Sequence, residues 1–309
     1  MATEYAPSDV MDRDSRSNRY YRNAVERHWD PGEIDLETDV ENLLTHIDTT
    51  EGYDQGSWAG TLSGIAKFGA GEDAVTEDLA PLATVLEDID DQLFLTTQLY
   101  EEAKHADFFD RYWREVVWTV EDELGWERSN PRDDKWFNEP YVELFDRNKK
   151  AQFRLLEEDT PENRAVAYCH YHLTVEGILA QTGYYGMQTS YGGEFEELPY
   201  LPGLVEGFTN IRSDEGRHVG FGMNQLKKLI ADGVDPELIE DTVTELIPLV
   251  QGITEDNRYQ PDDPDERVGL EDGELAAYAV EKHTDRMQQI TDAAADIPDV
   301  DDLVALEGD

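Results

Sequence analysis

The chain has 309 residues, 39% of them hydrophobic, which is enough for a sizeable core in one large domain or two ordinary ones. Acidic residues outnumber basic ones 71 to 25, and the resulting formal charge of −46 argues against nucleic acid and anionic membranes as partners. The single cysteine, Cys169, excludes an intramolecular disulfide and a cysteine-based metal cage. No apolar run approaches the roughly 20 residues that span a bilayer, and residues 1–14 are too polar for a signal peptide, so a cytoplasmic protein without a membrane span is expected.

Residues 1–34 are polar and rich in Arg and Asp, and read as an N-terminal arm ending at the turn signal Trp29-Asp30-Pro31-Gly32. A short helix follows over 36–49. From Trp58 onward Leu62, Ile65, Phe68, Glu72, Val75, Leu79, Leu82 and Leu86 recur at steps of three and four, the stripe of a helix facing a core, with Glu72 its only charge. Residues 88–120 form a second long pattern, with Leu95, Gln98, Glu102, His105, Phe109, Tyr112 and Val116 on one face and Glu101, Lys104, Arg111 and Glu115 on the others.

After a connection over 125–140 rich in Gly, Asn and Pro, residues 141–157 read as a helix. Pro161, behind Thr160, opens the next one. That third core helix carries Cys169, His172, Glu176, Leu179 and Gly183 near one face and stops before Gly192-Gly193. The fourth shows Leu204, Phe208, Ile211, Glu215, His218, Gly222, Leu226 and Leu229 and ends at Asp232-Gly233. Residues 236–256 and 273–294 read as peripheral helices separated by a loop rich in Pro and Asp. No strand-like alternation competes, so the expected fold is all-α: one bundle domain over 35–256, with 257–309 packed on it as a C-terminal loop and peripheral helix.

Within these patterns Glu102-Ala103-Lys104-His105 and Glu215-Gly216-Arg217-His218 each set a carboxylate and an imidazole three residues apart, one turn from each other on a single helix face. Glu72 and Glu176 stand alone on the other two helices. The order Glu, Glu-x-x-His, Glu, Glu-x-x-His is the ligand set of a four-helix bundle holding two metals. In a chain this rich in acid the spacing carries little weight by itself. The position does: each charge interrupts an apolar, core-facing stripe, and buried carboxylates and imidazoles need partners. The candidate ligands are therefore Glu72, Glu102, His105, Glu176, Glu215 and His218. Four carboxylates with one imidazole per metal suit iron and manganese better than zinc or copper. His170 and His172 read as core or supporting residues, and Asp214 as a carboxylate able to hold a ligating histidine.

At Gly71-Glu72-Asp73-Ala74-Val75-Thr76, Glu101-Glu102-Ala103-Lys104-His105 and Asp214-Glu215-Gly216-Arg217-His218 the chain resembles the ligand-binding oxidases related to the small subunit of ribonucleotide reductase, within the ferritin-like superfamily. The resemblance covers about residues 30–255 and places the family's metal ligands on the same six residues. It implies a heterodinuclear manganese/iron cofactor, with di-iron as the alternative. It also implies dioxygen as co-substrate, a long-chain fatty acid whose carboxylate bridges the metals, and a homodimer. In this family a valine three residues after the first ligand becomes joined by an ether link to a tyrosine five before the fourth; those positions hold Val75 and Tyr171. The competing reading is a radical-generating reductase subunit. Against it, Phe109 stands where conventional subunits carry the radical tyrosine, and residues 296–309 contain no tyrosine.

The acids are spread from end to end, in short runs such as Glu87-Asp88-Ile89-Asp90-Asp91, rather than gathered in one tail. This is the surface expected of a halophile's protein. At about 1 M salt the Debye length falls to roughly 3 Å, and the self-repulsion that strains such a fold in dilute buffer is screened.

Overall fold

The computed structural model describes residues 11–261, 263, 267–271, 273–291 and 296–304. Residues 1–10 of the expected arm and 305–309 of the C-terminal segment lie outside them. Helix α1 is Arg16–Glu26, α2 Glu37–Thr49, α3 Gln55–Asp78, α4 Ala80–Val85 and α5 Ile89–Tyr112. A wide π-helical turn at Trp113–Val117 leads into α6, Trp118–Leu124, and then come α7, Glu139–Arg154, and α8, Pro161–Tyr168. A second π-helical stretch, Cys169–Ala180, runs into α9, Gln181–Tyr191. The chain continues through α10 Pro202–Ala231, α11 Pro236–Thr254, α12 Glu274–Thr291 and α13 Val300–Val304. There is no strand among the described residues.

The caps explain where the long helices begin. Asp54 accepts from the amides of Gly56 and Ser57 to start α3, Asp88 from those of Asp90 and Asp91 to start α5, and Thr160 from Asn163 to start α8. Helix α10 lacks such a residue of its own. Asp39 of α2, completely buried, does the work instead, accepting from the amides of Gly203 and Leu204 at 2.8 Å each and from the Tyr112 hydroxyl at 3.0 Å.

The pair α3 and α5 packs against the pair formed by α10 and the Cys169–Ala180 stretch with α9, which is a four-helix bundle with peripheral helices around it. Close approach depends on glycine at two points. A Cβ on Gly222 of α10 would lie 2.2 Å from the His172 Cβ, and one on Gly183 would lie 2.4 Å from the Phe68 ring. The arm is more ordered than its composition predicts: α1 lies along α5, where the Ser17 hydroxyl donates to Asp91 and the Asn18 amide to Asp90. No helix among the described residues is long and apolar enough to cross a membrane.

Candidate metal centre

The six candidate ligands come from four neighbouring helical segments and meet in the middle of the bundle. Glu72 comes from α3, Glu102 and His105 from α5, Glu176 from the π-helical stretch, and Glu215 and His218 from α10. They form two groups, Glu72, Glu102, His105 and Glu215, and Glu102, Glu176, Glu215 and His218; within each, one ligand atom per residue lies within 4.8 Å of the others. Glu102 and Glu215 belong to both, as carboxylates bridging two cations would. His105 Nδ1 is 3.5 Å from an oxygen of each of Glu72, Glu102 and Glu215. His218 Nδ1 is 3.1 Å from Glu102, 3.3 Å from Glu176 and 3.4 Å from Glu215.

These approaches are not hydrogen bonds. Both Nδ1 atoms, with Glu176 Oε2 and Glu215 Oε2, are buried polar atoms without a hydrogen-bond partner, a costly arrangement unless a cation satisfies them. The titration behaviour points the same way. Burial lifts Glu72 from its ordinary 4.5 to about 8, and burial followed by the Glu215 carboxylate lifts Glu176 well above its own. Burial by itself would lower His105 and His218, yet the carboxylates around each raise it well above 6.5. Four carboxylates thus compete for positive charge that the two imidazoles only partly supply. Two divalent cations balance four carboxylates, and oxygen-rich ligands with one nitrogen each fit iron or manganese.

The far side of each imidazole is fixed by a carboxylate. His105 Nε2 lies 3.1 Å from Asp214 Oδ2 and His218 Nε2 lies 2.9 Å from Glu101 Oε2, so each ring donates from Nε2 to a carboxylate and turns its Nδ1 inward. In each Glu-x-x-His segment the residue preceding the glutamate therefore holds the histidine of the other segment. Arg217, with no exposed surface, joins the two acids, donating to Glu101 at 2.5 Å and to Asp214. Lys104 Nζ is 2.8 Å from Asp214, and the half-buried Trp29 donates Nε1–H to the same oxygen at 2.8 Å while stacking on His105.

Glu101 and Lys104, expected on the solvent side of their helix, are 2% and 5% exposed. α5 has neighbours on its flanks as well as its core face, so a stripe of three- and four-residue steps undercounts what is buried. Gln98 donates to Glu176 at 2.9 Å and its carbonyl oxygen lies 3.2 Å from His172 Nε2, which makes His172 a support rather than a ligand; burial lowers its imidazole to about 3. The Cys169 thiol is buried and pushed far up by burial, an inert core group. Sequence reasoning left Glu101, Lys104, Arg217, Gln98 and Trp29 unassigned. A signal existed for the first three: acid-Glu-x-cation-His is written twice, at 101–105 and 214–218.

A cavity of about 680 Å³ opens from the inner carboxylates. Val75 and Tyr171 both line it, with Phe68, Val175, Leu179 and Met187, and so do the partners of the Lys67–Asp256 ion pair, 2.7 Å long. The Tyr171 hydroxyl donates to Glu102 Oε1 at 2.7 Å. Phe109, buried, stacks on Phe68 at 5.8 Å and brings no oxygen to the site.

No protein-family model matches the chain. Among solved structures it is similar to an R2-like ligand-binding oxidase with aerobically reconstituted Mn/Fe cofactor after a long soak, 28% identical, with 91% of this chain and 94% of that one covered at a TM-score of 0.77. Another structure of an R2-like ligand-binding oxidase, with an aerobically reconstituted metal cofactor after photoconversion, matches at 28% identity, 91% and 95% coverage and the same TM-score. A point variant with aerobically reconstituted Mn/Fe cofactor gives 28%, 91%, 96% and 0.78. The all-α fold and the buried pair of carboxylate–histidine groups thus make this chain similar to the R2-like ligand-binding oxidases over nine-tenths of its length.

Proposed function

We propose that the chain is an oxygen-activating dinuclear oxidase, a manganese/iron enzyme with di-iron as the alternative, that carries out a two-electron oxidation in an apolar cavity. The observation that carries this is the joining of two ligand groups, sharing Glu102 and Glu215, to the inner end of that cavity. Its neighbours among solved structures are Mn/Fe oxidases, which supports the cofactor and the reaction class. In this reading Glu72, Glu102, His105, Glu176, Glu215 and His218 hold the metals. A metal pair, when bound there, supplies the redox equivalents that reduce dioxygen.

The protein's own residues do the rest. Asp214 and Glu101 orient the two imidazoles, and Glu102 holds the proton of Tyr171. The apolar walls exclude water and take a long-chain fatty acid. Tyr171 and Val75 are the internal substrate: a bond forms between Tyr171 Oη and Val75 Cβ, the O–H and C–H bonds break, and two electrons and two protons pass to dioxygen. The protein works as a cytoplasmic homodimer in a salt-rich cell.

Peptide mass spectrometry after aerobic loading with manganese and iron tests this. A linked pair of peptides containing Val75 and Tyr171, lighter by two hydrogens than their sum and absent in Tyr171→Phe, is the expected result. Metal-loaded protein that consumes dioxygen without the link sinks the internal-substrate part, and protein that consumes none sinks the oxidase. One observation favours the second reading, a radical-generating subunit: Trp29, Asp214 and His105 form a hydrogen-bonded chain from a half-buried indole to a ligand. That reading requires a larger catalytic partner, and restoration of nucleotide reduction on mixing would establish it.

A further inference from the structure

One deeply buried cation stands apart from the ion pairs around the ligands. Arg286 of α12 is 4% exposed, and among the described residues no carboxylate pairs with it. Its Nε donates to the Gly177 carbonyl at 3.1 Å and its Nη2 to the Leu303 carbonyl at 2.9 Å. Burial lowers the guanidinium from 12.5 to about 10, so it is still charged at neutral pH. A buried charge without a counter-ion is costly, and here backbone carbonyls offset that cost. Arg217, just as deeply buried, instead meets the two acids Glu101 and Asp214.

Gly177 directly follows the candidate ligand Glu176. Its carbonyl takes no bond from the amide four residues on, because the Gln181 amide goes to Ile178, at the point where the π-helical stretch gives way to α9. Arg286 supplies a donor there. Only glycine leaves room for it: a Cβ on residue 177 would lie 2.8 Å from the His172 carbonyl oxygen and 3.1 Å from Arg286 Nε. The other carbonyl that Arg286 holds belongs to α13, which packs on α10. Leu303 is 3% exposed, and a Cβ on Gly220, two residues beyond His218, would meet its Cδ1 at 3.1 Å. Glu176 and His218 are the two ligands found only in the second group, so Arg286 and α13 back one of the two metal positions from outside.

We propose that Arg286 is a positioning residue for that position: by holding the Gly177 carbonyl it fixes the backbone on which Glu176 stands, and so sets how tightly the Glu176–His218 position binds its cation. This rests on the reading that the two ligand groups hold metals. Without the guanidinium the carbonyl is a buried acceptor short of a donor, and the turn that carries Glu176 loses its outer anchor. Glu72 and His105 stand on α3 and α5 and do not depend on this contact.

The test uses full-length, metal-free protein as wild type, as Arg286→Met, which removes both donors, and as Gly177→Ala, whose methyl displaces the guanidinium. Should Arg286→Met not fold, Arg286→Lys takes its place, keeping the charge but not the fork that spans two carbonyls. Manganese(II) alone is titrated calorimetrically, and anomalous scattering from crystals at limiting manganese shows which position fills. Expected are two ions per wild-type chain, and in the variants a Glu176–His218 position about tenfold weaker beside an unchanged Glu72–His105 position. Unchanged affinity at both positions overturns the proposal and leaves the metal centre standing. So does equal weakening of both, which is the mark of a general loss of stability, or weakening confined to the Glu72–His105 position. Failure of wild type to bind two ions overturns the dinuclear reading, and the role of Arg286 falls with it.

Discussion

Removing the metals is expected to make folding depend on pH, in a direction set by the buried acids. Glu72 is 6% exposed, and burial moves its carboxyl from 4.5 to about 8. An acid with a raised folded value keeps its proton in the folded chain at pH values where the unfolded chain has lost it. The stability it contributes is complete below 4.5 and disappears as the pH climbs through 8. Glu176 and Glu215 are raised too, burial being the main cause. His105 and His218, raised by the surrounding carboxylates against the effect of burial, act with the same sign: their contribution is present below 6.5 and lost as the pH passes their folded values. Glu102 and Asp214 are lowered, so their contribution is present above 4.5 and 3.8 and is lost only in acid.

Between pH 5.5 and 8.5 the raised groups at the metal site therefore all weaken the metal-free fold as pH rises, while His172 and His170, lowered to about 3 and about 4 chiefly by burial, add a smaller opposite effect that is complete once the unfolded histidines have lost their protons just above 6.5. For Glu72 alone, the part of this span between pH 5.5 and 8, at 1.36 kcal/mol per pH unit, is about 3 kcal/mol, or roughly 6 °C in melting temperature for a chain of this size. Bound cations remove the effect by holding the carboxylates ionised and the Nδ1 atoms unprotonated, so metal binding releases protons and tightens with pH. The assay is thermal melting of chelator-treated and metal-loaded protein across this range at constant high salt. The gap between the two melting temperatures should widen with pH, chiefly because the metal-free protein falls. A metal-free melting temperature that is flat, or that rises, refutes the claim that these groups are buried together.

Three other outcomes follow from separate parts of the molecule. Asp39→Ala strips the amides of Gly203 and Leu204 and the Tyr112 hydroxyl of their acceptor and should cost about 3 kcal/mol, read as a lower denaturant midpoint at fixed salt. With 71 acids against 25 bases, the melting temperature should climb between dilute buffer and multimolar KCl as the Debye length falls from about 10 Å to below 3 Å; an unchanged value removes the halophilic reading of the surface. Gly183→Ala, whose Cβ would sit 2.4 Å from the Phe68 ring, should drive that ring into the cavity and weaken palmitate binding while two metals per chain are retained, as measured by titration and metal analysis.

The six candidate ligands were legible because an amphipathic helix records burial in its period. A lone Glu72 between Phe68 and Val75 is conspicuous, and so is Glu-x-x-His between Leu95 and Val116. The third segment was less informative than its stripe implied. Over Cys169–Ala180 the backbone is π-helical and every residue from Tyr171 to Ile178 is buried, on all sides. A step of three or four residues there selects no face. Glu176 was identifiable as a charge in an apolar run rather than from helical phase, and Tyr171 was singled out, as the partner of Val75, by resemblance alone, since no local pattern distinguishes it from Tyr168.

The supporting network was hidden for a different reason. Reading a stripe treats the residue just before a core position and the one two beyond it as flank, and flank as solvent. In a helix with neighbours on several sides that assumption fails, and Glu101, Lys104, Asp214 and Arg217 are buried there. Their partners are also distant in the chain: His105 and Asp214 are 109 residues apart, Glu101 and His218 117. The recurrence of acid-Glu-x-cation-His was visible, but each copy, taken alone, suggests a local ion pair between its own acid and its own cation. Only when the two helices lie side by side does each acid reach the other helix's histidine. The repeat is one device in two halves, so losing Glu101 should disturb His218 on the opposite helix more than His105 on its own.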